Sequence, residues 1–304
     1  MKHRKNGWIY YTIFTITLLL FSSYVLLETF VISHSMGKVE KTDSTEQNTS
    51  SSTNGSDTGV WTDTSYSDDN ISISLQTKVV ENTTVYIADI QLADASYLKT
   101  ALAQDTFGTN VTETTSSQAK SKDAILAING DYYGANNTGY VIKNGVIYRD
   151  STRKDIDYDD LAIYEDGSFQ IVNESEVSAN ELLEQGVTQL FSFGPALVKN
   201  SEITVDKHTE VGKAMASNPR TAIGIVDDLH YIMVVADGRS QESEGLSLYE
   251  LAEVMQSYGC TTAYNLDGGG SSTLYFNGEV INHPTTNGSS FKEREVSDIV
   301  YIGY

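Results

Sequence analysis

The chain has 304 residues, a formal net charge of −21 and a single cysteine, Cys260. The negative charge argues against general nucleic-acid binding, which needs lysines and arginines to neutralise phosphates. One cysteine excludes an internal disulfide, and because Cys260 lies in an apolar stretch we interpret it as a small buried residue and not as a nucleophile. Any phosphate-bearing ligand would have to be bound locally, by a few arginines or by backbone N–H groups.

The first 33 residues combine a basic tip with a long apolar stretch. Lys2, Arg4 and Lys5 precede an uncharged segment over residues 7–27. That length spans a bilayer as a helix, whereas a cleaved signal peptide, the alternative, has a shorter apolar core and a small-residue cleavage site. We therefore expect an uncleaved anchor. The basic tip predicts a single-pass protein of the cell membrane whose remainder is extracellular.

Residues 34–70 are predicted to form a linker. From residue 37 the segment is rich in Ser, Thr, Asn, Asp and Gly and has almost no aliphatic side chains. Such a composition cannot bury enough apolar surface to offset the entropy lost on ordering. We expect a flexible tether that lets a surface domain, residues 71–304, work at some distance from the membrane.

The pattern over residues 71–304 is that of a strand-rich domain. Short segments alternate between apolar and polar residues or are continuously apolar, and turn signals such as Asn144-Gly145 separate them. The strand candidates are 71–75, 84–92, 124–128, 161–164, 169–172, 221–226, 231–236, 262–266, 273–276 and 299–302. Helical periodicity is scarce, and a short helix is predicted at 179–184.

One longer helix is well specified over residues 248–258. Ser247 and Glu250 match a capping box, and apolar residues then recur at helical spacing. Strand 231–236, this helix and strand 262–266 predict a βαβ-like unit. The fold class that follows is α+β: a strand-rich single domain with a mixed sheet and few helices, preceded by a transmembrane helix and a flexible tether.

Polar and glycine residues follow four of the predicted strands. These segments are 128–134, 218–221, 236–239 and 265–272. Loops at strand ends carry many active sites, because the sheet holds the side chains while the loop backbone stays free. In Asn265-Leu-Asp-Gly-Gly-Gly-Ser-Ser272, three glycines let the backbone approach a ligand and offer N–H groups to an anion. Asp267 beside them is a candidate acid or base, and a tight glycine-rich turn is the alternative.

Neighbouring strand ends are expected to bring Arg220, Asp237 and Asp267 together. A guanidinium at Arg220 would suit bidentate phosphate binding, and a salt bridge to one of the many carboxylates is the alternative. Asn129 and Asp131 are weaker candidates, because Asn-Gly-Asp is a common turn composition.

The five histidines are scattered and predict no zinc site. Only His283, which precedes Pro284 in a polar segment, is a site candidate, and a surface loop residue is the alternative. We expect no cofactor, with a divalent cation such as calcium, bound by carboxylates, left open.

Several motifs together carry a family resemblance. They are Asn129-Gly, Arg220-Thr-Ala-Ile-Gly224, Ala236-Asp-Gly238, Leu246-Ser-Leu-Tyr-Glu-Leu-Ala252, Asn265-Leu-Asp-Gly-Gly-Gly-Ser271 and Arg294-Glu-Val-Ser297. In this order they resemble the phosphodiester glycosidase family, over about residues 70–304. The first motif of that family more often reads Asn-Gly-Gly-Tyr/Phe-Phe, so Asp131 is a departure.

The resemblance implies an extracellular hydrolase that cleaves the glycosidic bond of sugar 1-phosphodiesters, of the GlcNAc-1-phosphate type, in cell-surface, cell-wall or exopolysaccharide glycans. Phosphate is a good leaving group, so a carboxylate that activates water or stabilises the oxocarbenium-like transition state, with cations on the departing phosphate, would suffice. Asp267 would be the principal catalytic carboxylate, with Asp237 or Asp131 as its partner. Which carboxylate is acid and which is base stays open.

The resemblance also implies the groups that bind substrate. Arg220 and the amides of Gly268, Gly269 and Gly270 would hold the phosphate, helped by Ser271, while Asn129 would orient sugar hydroxyls. The predicted set is completed by Thr221, Arg239, Asn265, His283 and Arg294.

Two other functions stay open beside this one. One is a non-catalytic carbohydrate-binding or exopolysaccharide assembly protein on the same scaffold; the other is an ordinary glycosidase or a transferase. The expected partners are a glycan or sugar-phosphate substrate and the membrane, with no nucleic acid and an open oligomeric state.

Overall fold

The computed structural model describes residues 5–38, 59–153, 159–210 and 217–304. Within these ranges the helices are α1 (Lys5–Phe30), α2 (Thr115–Ser121), α3 (Ala179–Glu184) and α4 (Leu248–Ser257). The strands are β1 (His34–Lys38), β2 (Val60–Trp61), β3 (Ser65–Ser67), β4 (Ile71–Val80), β5 (Thr83–Leu92), β6 (Leu98–Leu102), β7 (Thr106–Thr109), β8 (Glu113–Thr114), β9 (Leu126–Asn129), β10 (Val141–Lys143), β11 (Val146–Arg149), β12 (Asp159–Tyr164), β13 (Phe169–Asn173), β14 (Val187–Phe191), β15 (Ala196–Lys199), β16 (Glu202–Ile203), β17 (Arg220–Asp227), β18 (His230–Ala236), β19 (Thr262–Asn265), β20 (Leu274–Phe276), β21 (Glu279–Val280), β22 (Glu295–Val296) and β23 (Asp298–Ile302).

The N-terminal helix is long and apolar enough to cross a membrane. Its segment Trp8–Phe30 contains an 18-residue window with a mean hydropathy of 1.8, and none of that window is buried in the described part of the chain. The chain then pairs β1 with β7, and Asn110 Nδ2 donates to the Thr29 and Ile32 carbonyl oxygens at 3.2 Å each. Residues 34–38, predicted as linker, are therefore a strand next to the folded domain.

The predicted domain boundary at residue 71 is also too late. Strands β2 and β3 pair with each other, and β3 pairs with β4 at the edge of the largest sheet. Tyr66 is buried in the core with its ring 4.4 Å from that of Trp61. The Ser- and Asp-rich sequence around Trp61 and Tyr66 gave no strand pattern, so β2 and β3 were not predicted. The tether predicted for residues 39–58 lies outside the described residues.

Three sheets build the domain, and within the described ranges each strand pairing is antiparallel. The nine-stranded sheet has the order β16-β15-β19-β17-β18-β5-β4-β3-β2, and the five-stranded sheets have the orders β11-β10-β14-β12-β13 and β21-β20-β9-β23-β6. Two small ribbons, β1–β7 and β8–β22, complete the set.

The α+β class with few helices is confirmed, and one detail of the sheet is corrected. Strands β18 and β19 run in the same direction and α4 connects them, as the predicted βαβ-like unit requires. However, β17 lies between them and pairs antiparallel with both. The predicted mixed sheet is therefore wrong for the described ranges, because the antiparallel β17 separates the two parallel strands.

The nine-stranded sheet is buried on both faces. Along β18, Tyr231, Met233 and Val235 pack into the core shared with the two five-stranded sheets. Ile232 and Val234 point the other way and share a cluster with the apolar side of α4. The capping box that begins α4 is present, since Ser247 Oγ accepts from the Glu250 N–H at 3.2 Å. This double packing makes the sheet a rigid support for the loops at its ends.

Candidate functional site

The loops at one edge of the nine-stranded sheet converge, as expected. Antiparallel register places Arg220 opposite Ala236 and Ala222 opposite Asn265, so the start of β17 meets the ends of β18 and β19. The end of β9, in another sheet, joins this edge because the Asp267 N–H donates to the Gly130 carbonyl oxygen at 3.1 Å.

A pocket of about 200 Å³ opens at this edge. Its lining residues are Phe193, Asn218, Arg220, Arg239, Asp267, Gly268, Gly269 and Arg294. One carboxylate and three guanidinium groups therefore face the same small space. Such a site attracts an anion and offers one acid or base beside it.

Asp267 is the buried carboxylate of this pocket. Its Oδ1 accepts the Gly268 N–H at 2.9 Å. Its Oδ2 makes no hydrogen bond of ordinary geometry among the described residues, although the Ser271 hydroxyl is close enough to the carboxyl group to lower its pKa. Burial raises the pKa of Asp267 to about 6, and the Ser271 hydroxyl, Arg294 and the Gly268 N–H only partly oppose that rise. The carboxylate thus changes charge near neutral pH, as a general acid or base requires.

Each of the three glycines lies so close to a neighbouring group that a side chain there would clash. A Cβ on Gly268 would lie 2.9 Å from the Pro219 carbonyl oxygen, and one on Gly269 would lie 2.8 Å from an Arg239 nitrogen. A Cβ on Gly270 would lie 2.8 Å from an Arg294 nitrogen. The glycine run therefore lets two guanidinium groups lie on the backbone.

The amides of the first two glycines are already used. The Gly268 N–H donates to Asp267, and the Gly269 N–H donates to the Pro219 carbonyl oxygen at 2.8 Å. The prediction that Gly268–Gly270 amides hold an anion is corrected for these two, because both N–H groups already donate to acceptors of the protein. The positive charge of the site comes from the arginines.

The three arginines are held in different ways. Arg220 is buried, donates from Nε to the Leu246 carbonyl oxygen at 2.9 Å, and has Nη2 3.6 Å from Glu210 Oε2. The salt bridge that was the alternative for Arg220 is therefore present, while phosphate binding by this pocket-lining residue stays a prediction. Burial lowers the pKa of Arg220, yet a guanidinium stays charged at neutral pH.

Arg239 and Arg294 approach the pocket from the other side. Arg239 donates from Nε and Nη2 to Asn218 Oδ1 at 3.2 and 2.9 Å, and from Nη1 to the Thr286 carbonyl oxygen at 2.7 Å. Arg294 is tied by its backbone N–H to the Gly270 carbonyl oxygen at 3.3 Å. The Arg294 guanidinium has no hydrogen-bond or ion-pair partner in the described part of the chain.

Asn129, Thr221 and Asn265 lie inside the protein and not at the pocket surface. Asn129 Nδ2 donates to the Asp267 carbonyl oxygen at 2.7 Å, and its Oδ1 accepts from Thr221 Oγ1 at 2.8 Å. Asn265 Nδ2 donates to the Gly194 carbonyl oxygen at 2.7 Å. Their predicted substrate contacts are corrected to positioning roles, because these donors are already committed and the side chains are fully buried.

Neither predicted partner carboxylate lines the pocket. Asp237 accepts the His283 N–H at 2.9 Å and lies 3.2 Å from His283 Nδ1, so it holds that loop. His283 itself is an exposed ring packed edge-on against Phe291. Asp131 belongs to a buried group with Lys143 and Asp298.

Sequence reasoning missed Phe193 and Asn218 as lining residues and Lys143 and Asp298 as buried charges. Asn218 begins the segment 218–221, which was named as a candidate loop. The Pro219 and Arg220 that follow it were the signal that could have identified it as a pocket residue. Nothing in the sequence marks Phe193. The interpretation of Cys260 is confirmed, because burial raises the pKa of its thiol to about 12 and leaves it un-ionised.

Comparison with known proteins adds a family to this geometry. A family model described as "Phosphodiester glycosidase" matches residues 122–303. The chain is 35% identical over 201 residues to the SPbeta prophage-derived uncharacterized protein YomE of Bacillus subtilis (strain 168), covering 65% of this chain and 31% of that protein. It is 30% identical over 180 residues to human N-acetylglucosamine-1-phosphodiester alpha-N-acetylglucosaminidase, covering 55% of this chain and 35% of that enzyme. The chain thus spans about a third of the length of these relatives.

Two solved structures share the fold. One is the zebrafish N-acetylglucosamine-1-phosphodiester alpha-N-acetylglucosaminidase catalytic domain, with a TM-score of 0.61 at 22% identity, covering 77% of this chain and 83% of that one. The other is a hypothetical protein from Synechocystis, with a TM-score of 0.58 at 13% identity, covering 77% and 62%. At these identities the likeness concerns the fold alone.

The raised pKa of Asp267 predicts that its charge destabilises the folded protein. Its contribution to folding is present below the ordinary pKa of 3.8 and lost as the pH rises through about 6. Asp267→Asn is uncharged throughout, so it should be more stable than the unchanged protein by about 3 kcal/mol at pH 8 and equally stable at pH 3. Urea unfolding at the two pH values measures this, and an equal difference at both would contradict the buried carboxylate.

Proposed function

The chain belongs to the phosphodiester glycosidase family, and from that premise we propose that it hydrolyses the glycosidic C–O bond of sugar 1-phosphodiesters. The observation that carries the proposal is the ratio of charges in the pocket: one carboxylate, Asp267, against three arginines. An alkoxide leaving group needs a second carboxylic acid to protonate it. A phosphate leaves as an anion, so guanidinium groups serve it better than an acid does.

Asp267 acts as the base on the attacking water. Its Oδ1 is held by the Gly268 N–H while Oδ2 makes no hydrogen bond of ordinary geometry among the described residues, so one oxygen fixes the carboxylate and the other is available to a water molecule. The water oxygen bonds to the anomeric carbon, its proton passes to Oδ2, and the C1–O bond breaks with its electron pair on the phosphate oxygen. Arg294, Arg239 and Arg220 stabilise that developing charge.

Arg294 is the best placed to bind the departing phosphate. Its guanidinium carries no side-chain partner among the described residues, whereas Arg220 and Arg239 spend donors on Leu246, Asn218 and Thr286. Three cations beside the reacting bond supply the charge stabilisation that a divalent ion would otherwise give. We therefore propose a reaction without a cofactor.

The proposed substrate is a GlcNAc-1-phosphate-type linkage in a cell-surface or exopolysaccharide glycan. Support comes from the printed name of the human relative, an N-acetylglucosamine-1-phosphodiester alpha-N-acetylglucosaminidase. The pocket of about 200 Å³ suits the reacting end of a substrate whose remainder lies outside.

The proposed location is the outer face of the cell membrane. Helix α1 would span the bilayer with the basic tip in the cytoplasm. Because β1 follows α1 closely and pairs with β7, the domain would lie near the membrane surface and not at the end of a long tether.

Activity toward a GlcNAc-1-phosphomethyl diester tests the proposal. The ratio kcat/KM should rise with pH through about 6, since Asp267 must be ionised to act as a base. Asp267→Asn should lower it at least ~1,000-fold, and Arg294→Ala ~100-fold. The exposed Asp69→Asn is the matched control and should leave it unchanged.

Two outcomes would replace the proposal. Tight glycan binding without turnover on a panel of sugar 1-phosphodiesters would indicate a carbohydrate-binding protein. Turnover of non-phosphorylated glycosides that survives Arg294→Ala would indicate an ordinary glycosidase. Arg294 is the variant of choice because Arg220 is also a buried structural residue.

The membrane anchor has its own test. The full-length protein should sediment with membranes, and protease added to intact cells should release the folded domain. A soluble form in the medium that begins after residue 30 would show instead that the apolar helix is a cleaved signal peptide.

A further inference from the structure

A cluster of three buried charges lies behind the pocket and has no part in the proposed reaction. Lys143 Nζ is 2.8 Å from Asp298 Oδ2 and 3.7 Å from Asp131 Oδ2, and it lies 3.8 Å from the centre of the Phe191 ring. The three charged residues are at most 2% exposed. Burying charges is costly even when they are paired, and it is often tolerated where the pair fixes a specific arrangement.

Hydrogen bonds connect this cluster to the Gly130–Asp131 turn, and this turn and the preceding Asn129 hold the two backbone groups of Asp267. Asp298 accepts the Asp131 N–H with Oδ1 at 3.1 Å and the Gly130 N–H with its carbonyl oxygen at 2.9 Å. Gly130 accepts the Asp267 N–H at 3.1 Å, and Asn129 Nδ2 donates to the Asp267 carbonyl oxygen at 2.7 Å. Asp298 therefore fixes the Gly130–Asp131 turn, and this turn fixes the backbone of Asp267.

The backbone of Gly130 packs directly against the Asp298 carboxyl group. A Cβ on Gly130 would lie 2.3 Å from the Asp298 carboxyl group. Asp131 is equally fixed, because its oxygens accept the Tyr133 N–H at 3.3 Å and the Ser192 N–H at 3.0 Å. Movement of either carboxylate would therefore be passed on to Asp267.

The cluster also acts on Asp267 through its charge. The negative charge of Asp131 adds to the effect of burial in raising the pKa of Asp267. Burial raises the pKa of Asp298 above its ordinary value, and the attraction of Lys143 opposes that rise. The positive groups that face Asp267 are Arg294 and Arg239, with Arg220 lining the same pocket.

We propose that Lys143, Asp131 and Asp298 form a positioning cluster that fixes Asp267 and sets the pH range in which it works. Asp131 and Lys143 act in opposite directions, because one adds negative charge behind the catalytic carboxylate and the other compensates it. None of the three touches substrate. The inference rests on the proposed function for its kinetic readout, but not for its structural one.

Two isosteric changes of opposite charge test the cluster. Asp131→Asn removes a negative charge, so the acid limb of the kcat/KM profile on the GlcNAc-1-phosphomethyl diester should move to lower pH by roughly half a unit to one unit. Lys143→Met removes the compensating cation and should move the limb to higher pH by a similar amount. The exposed Lys199→Ala is the matched control and should move nothing.

A second readout separates this inference from the proposed function. The carbon-13 titration of the Asp267 carboxyl group, identified by its loss in Asp267→Asn, should show the same opposite shifts in the full-length protein whether or not turnover occurs. Absent turnover with opposite titration shifts would overturn the proposed function alone. Unshifted titration curves, or curves that move in the same direction in both variants, would overturn the cluster.

Folding of the variants is read separately. Lys143→Met leaves two buried carboxylates without their cation, so its circular dichroism spectrum is measured first. If that variant does not fold, Asp131→Asn decides the matter by itself: a downward shift supports the cluster and no shift contradicts it.

Discussion

The site depends on the hydrogen bonds between the Asn129–Gly130 corner and the Asp267 peptide. They join the end of β9, in one five-stranded sheet, to the loop after β19, in the nine-stranded sheet. Asn129 also accepts from Thr221 at the start of β17 and from the Thr273 N–H at 3.2 Å. One buried amide side chain thus joins three stretches that lie far apart in the sequence, around residues 129, 221 and 267–273, and a carboxylate held in this way is preorganised.

Although the chain has a net charge of −21, its pocket is locally positive, because glycines leave room for arginine side chains. The three glycines after Asp267 carry no side chains, so Arg239 and Arg294 lie directly on the backbone while Pro219 fills the remaining gap. Both guanidinium groups stay partly exposed at the pocket, where an anion can reach them. Asp267 itself is buried, and that burial raises the pKa of its carboxyl group to about 6, on which its proposed role as a base depends.

The sequence predicted those features that short segments determine. Helix α3 matches its predicted bounds, and α4 begins at its capping box, because both signals are local. The meeting of Arg220 and Asp267 at one pocket followed from the strand ends that carry them, whereas Asp237 does not line that pocket. By contrast, the roles of Asn129, Asp131 and Asn265 depend on long-range hydrogen bonds. Strands β2 and β3 were not predicted, because their sequence is polar apart from two aromatic residues. They form because β3 pairs with the edge strand β4 and the Trp61 and Tyr66 rings pack together.

Hydrolysis in oxygen-18 water distinguishes cleavage of the C1–O bond, which the proposed reaction requires, from cleavage of the P–O bond. With Asp267 delivering water to the anomeric carbon and the arginines accepting the phosphate, the label is predicted in the released sugar while the phosphate monoester stays unlabelled. Label in the phosphate monoester, with an unlabelled sugar, would contradict the account, because water would then have attacked phosphorus.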